Sequence, residues 1–320
     1  MTTVSSEETF SHPALFYRGA GDYTDRTVAF VREGLSAGEP VAVAVPGPNL
    51  ELIRTGLGAD ARDVTFLDMT RAGRNPGRII PGVLRAFADR HPEGRVRIIG
   101  EPIWAGRSAV EYPACAQHEA LINAAFEGRA ATILCPYDAT ALEADVLADA
   151  LVTHPTVIDE GRERASGDYD WRAVVDRYNA PLDRPAADVA VFGFGTGELP
   201  QARRFAVDRA RSLGLPETRL PDVELAVAEL TTNSVVHGGG RGTLAVWAEA
   251  GRMACEIRDA GRLSDPLAGR RPPRPGQIGG RGLLLVHHIA DLVRTHTADE
   301  GTTVRFYLDI CRYAPLRPGF

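Results

Sequence analysis

The sequence predicts an α/β chain of two domains, an N-terminal doubly wound parallel sheet followed by a smaller α+β layer. Three observations carry this. Between residues 15 and 158, short apolar runs alternate with segments of helical period. Residues 161–186 are polar and rich in Gly, Ser and Pro at their ends. From residue 187 the order becomes strand, helix, helix, strand, strand, helix, strand. A length of 320 residues agrees with two domains of roughly 100–200 residues each.

In the first half the strand candidates are Leu15–Tyr17, Val41–Val45, Val64–Leu67, Val96–Ile99 and Ala131–Leu134. Thr27–Leu35, Ile79–Asp89 and Ala116–Phe126 read as helices; Val28, Phe30, Val31 and Leu35 lie near one face of the first. Gly38, Gly94 and Gly128 stand where helices should stop, each shortly before a strand. Strands that alternate with helices imply right-handed crossovers and a parallel sheet. The stretch 161–186 reads as a linker with one short helix near Trp171–Tyr178. In the second half, strands are expected at Val189–Phe194, Gly242–Ala248, Met253–Asp259 and Thr303–Asp309. Helices are expected at Leu199–Leu213, Asp222–His237 and Leu283–Leu292. Residues 262–278, rich in Arg and Pro, read as a loop.

Composition excludes several function classes. All 36 basic residues are Arg, so no lysine can serve a Walker-type phosphate loop, a Schiff base or a eukaryotic-type kinase fold. The net charge of −6 gives no global field for nucleic acid. Cys115, Cys135, Cys255 and Cys311 form no C-x-x-C pair, which argues against a zinc site or a disulfide framework and fits a reducing cytoplasm. The first residues, MTTVSSEETFSHP, lack a basic segment and an apolar core and do not read as a signal peptide. No apolar run approaches the roughly 18 residues of a membrane span. The expected location is therefore the cytoplasm, with neither membrane nor nucleic acid as a direct partner.

Three segments of the second half carry chemistry. Glu229 and Asn233 in AELTTNSVVH are four apart and share a helix face. A carboxylate beside an amide oxygen can bind magnesium and polarise a hydroxyl. Leu225, Leu230 and Val236 are expected on the buried sides of that helix. Asp259-Ala260-Gly261 follows a strand, where an acceptor and a close backbone approach suit an adenine ring. Gly279-Gly280-Arg281-Gly282 opens a helix, whose free N–H groups favour phosphate.

In this order the segments resemble the N, G1 and G2 boxes of the GHKL ATPase superfamily, over residues 187–310, with Gly301-Thr302 similar to the family's late Gly-Thr element. The style of ELTTNSVVH and GGRGLLLVHHIADLV is closest to the anti-sigma-factor serine kinases. The resemblance implies the Bergerat ATP-binding sandwich over 187–311, with a tail at 312–320. It implies Glu229 as general base and Asn233 as Mg²⁺ ligand. Asp259 and Gly261 would hold adenine, and Gly279, Gly280, Arg281, Gly282 and Thr302 would line the phosphate side. Leu263 stands where the stronger G1 pattern has a second Gly.

The first half resembles the MEDS sensory domain of methanogen and methylotroph regulators, a Rossmann-like or RecA-like module, over roughly residues 10–160. HPALFYRGAGDYTDRTVAFVREGLSAGEPVAVAVP, Gly100-Glu101-Pro102-Ile103-Trp104 and Cys135-Pro136-Tyr137-Asp138 carry it. With no phosphate loop and no lysine, it reads as a sensor of a small molecule or protein signal. Glu101, Trp104, Cys135 and Tyr137 would follow strand ends and line a crevice. His12, His118 and Glu119 are further candidates, and core packing is the alternative for each. His154, before Pro155, reads as a helix end, and His237 as a helix C-terminal cap.

Together these resemblances imply a regulator of the stress or developmental sigma-factor switch in signal transduction and transcription. It would bind Mg-ATP and a sigma factor and phosphorylate a Ser or Thr of a STAS anti-anti-sigma partner. A non-enzymatic, ATP-dependent binding module and a soluble histidine kinase remain as alternatives, and a homodimer stays open.

Overall fold

A computed structural model describes residues 10–183, 188–272 and 280–310. The chain divides into two compact units, residues 1–178 and 179–320. Gly279, Cys311, the tail and most of the Arg/Pro loop after Pro272 lie outside the described residues.

The first unit is built on an eight-stranded sheet. Its strands are β1 (Phe10–Ser11), β2 (Pro13–Tyr17), β3 (Val41–Val45), β4 (Val64–Asp68), β5 (Val96–Gly100), β6 (Ala131–Asp138), β7 (Thr156–Asp159) and β8 (Arg162–Ala165). The order is β4-β3-β5-β6-β2-β7-β8, with β1 also on β6. All pairings are parallel except β7 with β8. Helices α1 (Gly19–Ser36) and α2 (Gly47–Leu57) lie in the crossover between β2 and β4, on either side of β3. Val28 and Val31 of α1 and Leu50, Ile53 and Leu57 of α2 share one core with Val41, Val43, Val45, Ile99 and Leu134. The alternating Ala42, Ala44, Ile98 and Ile133 are equally buried, so both sheet faces are covered, as a parallel sheet requires. The remaining helices are α3 (Met69–Ala72), α4 (Arg85–Ala88), α5 (Tyr112–Ala125), α6 (Ala144–Thr153) and α7 (Trp171–Arg177).

The five expected strands are present, with differences that matter for function. The segment expected as a helix at 79–89 opens with a wide π-type turn, Ile80–Leu84, before α4. β6 runs to Asp138, so Cys135 and Tyr137 lie within the strand and not beyond it. The stretch expected as a linker is divided. β8 pairs with β7, and α7, capped by Asp170 through Ala173 N–H, packs Val174 against Ala116 and Ala120 of α5. An antiparallel edge and one buried valine suffice to draw 162–177 into the first unit.

The second unit is a five-stranded antiparallel sheet, β9 (Ala190–Gly195), β10 (Arg241–Glu249), β11 (Arg252–Asp259), β12 (Leu292–Ala298) and β13 (Gly301–Asp309), ordered β12-β13-β11-β10-β9. Helices α8 (Leu199–Ser212), α9 (Leu220–His237) and α10 (Gly282–Ile289) share one core with the sheet. Ala202, Ala206 and Ala210, each four apart, form the α8 stripe; α9 contributes Val223, Val227 and Leu230. Leu225 and Val236, expected buried, are 39% and 65% exposed, because the α9 core face follows 223, 227 and 230. α10 ends at Ile289, three residues earlier than expected, and Leu292 begins β12, an unanticipated strand. Among the described residues, no helix is long and apolar enough to cross a membrane.

Candidate functional site

The last turns of α9, the end of β11, the start of α10 and the start of β13 surround a cavity of about 880 Å³. Its walls include Asn233, Ser234 and His237 of α9, Asp259 and Gly261 after β11, Gly280 and Gly282 at the mouth of α10, and Thr302 of β13. Leu230, Ile257, Leu267, Leu283 and Val304 supply apolar wall. The size lies within the range of small-molecule sites, roughly 300–1,000 Å³.

Within this lining Asp259 is fixed by two donors. Ser234 Oγ donates to Oδ2 at 2.6 Å, and Gly261 N–H donates to Oδ1 at 2.8 Å. A carboxylate has about four acceptor positions, so each oxygen keeps one for an incoming N–H. Gly261 is required here by close approach, since a Cβ would lie 2.5 Å from the His237 carbonyl oxygen. Its own carbonyl accepts from Thr302 Oγ1 at 2.8 Å, and Thr302 meets Thr297 Oγ1 at 2.9 Å. Thr297 Oγ1 in turn accepts from Leu263 N–H at 3.0 Å. Two threonines of adjacent strands thus tie down the chain after Asp259. Leu263 takes part in this anchor through its backbone N–H, whatever its side chain.

Gly282, another lining residue, begins α10 directly against Glu229. A Cβ on Gly282 would overlap Glu229 Oε2 and lie 3.4 Å from Asn233 Nδ2. The helix N-terminus therefore stands beside the carboxylate and amide that one turn of α9 presents together. Its unpaired N–H groups and dipole favour negative charge. Asn233 lines the cavity, whereas Glu229 lies against Gly282 and is not among its lining residues. Arg281 is exposed and also outside the lining. A nucleotide fits this donor set: an acceptor and apolar walls for a base, backbone N–H groups for phosphates, and an amide oxygen for magnesium. Asn233 would hold magnesium, which would supply charge neutralisation for the phosphates.

Of the histidines near the site, His237 lines the cavity from the last turn of α9, and Gly238 follows as the cap. His287 is buried, and burial, with Arg270 nearby, holds its pKa well below the ordinary value.

The sensor candidates of the first unit separate into three places. His12, Glu119 and Cys135 come together, joined by His154, which sequence reading set aside as a helix end. Tyr137 packs edge-on to the His154 ring. Glu101 lies elsewhere, accepting from Tyr23 Oη at 3.0 Å and from Asn49 Nδ2 at 2.8 and 2.9 Å. Burial pushes its carboxyl up to about 8 against these donors. Trp104 stacks under the Arg107 guanidinium, 4.0 Å from ring centroid to carbon. His118, one residue before Glu119, is buried but is not one of the four converging donors. Glu101, Cys135 and Tyr137 are at most 2% exposed, so they do not line an open crevice as the sequence suggested.

Two family models match the chain. Residues 11–155 match the MEthanogen/methylotroph, DcmR Sensory domain, and residues 196–308 match the histidine kinase-like ATPase domain. No curated protein matches. A solved structure of the Acinetobacter baumannii histidine kinase AdeS is similar at 12% identity, covering 44% of this chain and 74% of that chain, with a TM-score of 0.25. The fold and site described above therefore belong to a chain that carries a MEDS domain followed by a histidine kinase-like ATPase domain.

Proposed function

We propose that the second unit binds Mg-ATP and transfers its terminal phosphoryl group to a Ser or Thr of a STAS-type anti-anti-sigma partner. In this reading it also holds a sigma factor, and the MEDS domain adjusts both activities in response to a signal. The observation that carries the reading is the placement of Gly282 against Glu229 and Asn233, beside a cavity that Asp259 also lines. Phosphoryl transfer asks a protein chiefly to position groups and stabilise charge. Asn233 would take the metal, and Glu229 would accept the proton of the attacking hydroxyl. The sequence style of the N and G2 segments supports the serine-kinase class.

A non-enzymatic reading has its own support. Glu229 lies behind Gly282 and outside the cavity lining, a position that suits a structural contact between α9 and α10. In that case ATP would only set the conformation that holds a partner. The two readings separate on labelled Mg-ATP and a purified STAS protein. Under the kinase reading wild type forms an acid-stable phosphoprotein, and Glu229→Ala keeps ATP binding while losing about 10²–10⁴-fold in rate. No transfer by wild type, with ATP still altering partner affinity, establishes the second reading. Acid-labile phosphate on this chain would point instead to a histidine kinase.

A further inference from the structure

Four potential ligands converge in the interior of the first unit, far apart in sequence. His12 precedes β2, Glu119 lies on α5, Cys135 lies in β6, and His154 ends α6. One ligand atom from each falls within 4.8 Å of all the others, and all four residues are at most 1% exposed. His12 Nε2 is 3.4 Å from Cys135 Sγ and 3.6 Å from Glu119 Oε2; His154 Nε2 is 3.1 Å from the same oxygen. A tetrahedral zinc with bonds of about 2.0–2.3 Å sets its ligand atoms about 3.3–3.8 Å apart, so the observed spacings are close to those of a loaded site.

The hydrogen-bond contacts around the rings point the same way. Asn123 Nδ2 donates to the Thr153 and Ala120 carbonyls at 2.9 and 3.1 Å. That fixes its Oδ1 toward His12 Nδ1, 3.2 Å away, so this nitrogen must donate. His154 Nδ1 lies 2.8 Å from the Ala150 carbonyl and must donate too. Both rings therefore turn their other nitrogen, Nε2, toward the Glu119 carboxylate. Glu119 Oε1 and Oε2 and His154 Nε2 are buried without a hydrogen-bond partner. Ring nitrogens and carboxylate oxygens that face one another in a dry interior need a cation between them. The outer contacts of both rings, an amide oxygen and a backbone carbonyl, are the kind that orient metal-bound histidines.

We propose that His12, Glu119, Cys135 and His154 form a closed four-ligand site for a divalent cation of the zinc class, which fastens β2, α5, β6 and the end of α6 together. Two neutral imidazoles, one thiolate and one carboxylate balance a charge of two, so the loaded site is neutral in the interior. The donor set of nitrogen, sulfur and oxygen suits zinc and disfavours magnesium or calcium. A Cys-His-Glu nucleophilic arrangement is excluded by burial, which denies entry to a substrate. The site is structural, with no position left for water.

The test uses the full chain, purified after growth with zinc and separately refolded with Co²⁺. Elemental analysis should find about one metal per chain, lost with chelator along with thermal stability. The cobalt form should show a sulfur-to-metal charge-transfer band and the strong visible bands of a tetrahedral site. Cys135→Ser should remove the charge-transfer band. Asn123→Ala, which leaves all four ligands in place, should weaken metal binding by about 10–100-fold. Val157→Ala, a buried truncation in the neighbouring β7, controls for destabilisation and should keep the metal. Wild type that holds no zinc and shows no cobalt bands, or a Cys135→Ser chain that keeps the sulfur band, would overturn the proposal.

Discussion

Asp259 offers the sharpest perturbation, because its two oxygens have known partners and its proposed third is the ligand. Asp259→Ala removes an ionised acceptor worth about 1.5–3 kcal/mol to a bound amino group, which corresponds to roughly 10- to 150-fold in affinity. It also leaves Gly261 N–H without its acceptor, so lost binding in that variant mixes with local collapse. Asp259→Asn separates the two effects. Its amide oxygen can still accept from Gly261 N–H, and Ser234 Oγ, which lies 3.1 Å from the Leu230 carbonyl, can donate there instead. The Asn amide then presents a donor where the carboxylate presented an acceptor. Adenine carries an amino group at its six-position and guanine an oxygen, so the preference for ATP over GTP should narrow or invert. Titration calorimetry with Mg-ATP and Mg-GTP, alongside thermal melts of both variants, reads each quantity separately. A folded Asp259→Asn chain with unchanged ATP affinity and unchanged discrimination would remove Asp259 from base recognition.

Gly282→Ala places a methyl against the flexible end of Glu229, which must swing aside and change the mouth of α10 at small cost to the fold. Calorimetry should find weaker ATP binding with little loss of melting temperature, and unchanged binding would refute the close approach. Arg305 donates to buried Glu256 at 2.8 and 2.6 Å across β11 and β13. Arg305→Met should cost toward the lower end of about 3–5 kcal/mol in urea denaturation, since Arg258 still reaches Glu256. The double variant with Glu256→Leu should recover most of the loss. Glu101, raised from 4.5 to about 8 by burial, binds its proton more tightly folded than unfolded. Its contribution is therefore full at low pH and lost as pH rises through that window. Denaturation at about pH 5 and about pH 8.5 should show this decline in wild type and a flatter profile in Glu101→Gln.

The second unit was the more legible half, for a physical reason. Its site residues sit at element ends fixed by local sequence: four residues of one helix turn, a strand end followed by Gly261, and a glycine that starts a helix. Those spacings put Glu229 and Asn233 on one face before any tertiary contact forms. What spacing could not show was the depth of each group. Glu229 is set behind Gly282 by how α10 meets α9. β12 was missed because its first residue, Leu292, also extends the apolar period of α10, while the rest of the strand is held by pairing with β13.

The first unit shows the opposite case. Its strands were legible as apolar runs, but the cluster of His12, Glu119, Cys135 and His154 has no local signature. The absence of a C-x-x-C pair argued against zinc, yet that argument applies only to ligands delivered by one turn. In this sheet, β2 lies directly beside both β6 and β7, so residues more than a hundred positions apart become neighbours through parallel pairing. His12 and Cys135 meet because Ala14 pairs with Cys135 in that register. His154 meets them because Pro13 pairs with Thr156 on the other side. The sequence signal that remained was chemical: in a helix expected to bury its face, Glu119 required a partner. A buried carboxylate thus marks a polar contact even where its partners cannot be named, and here parallel pairing brings it two histidines and a thiol from other elements.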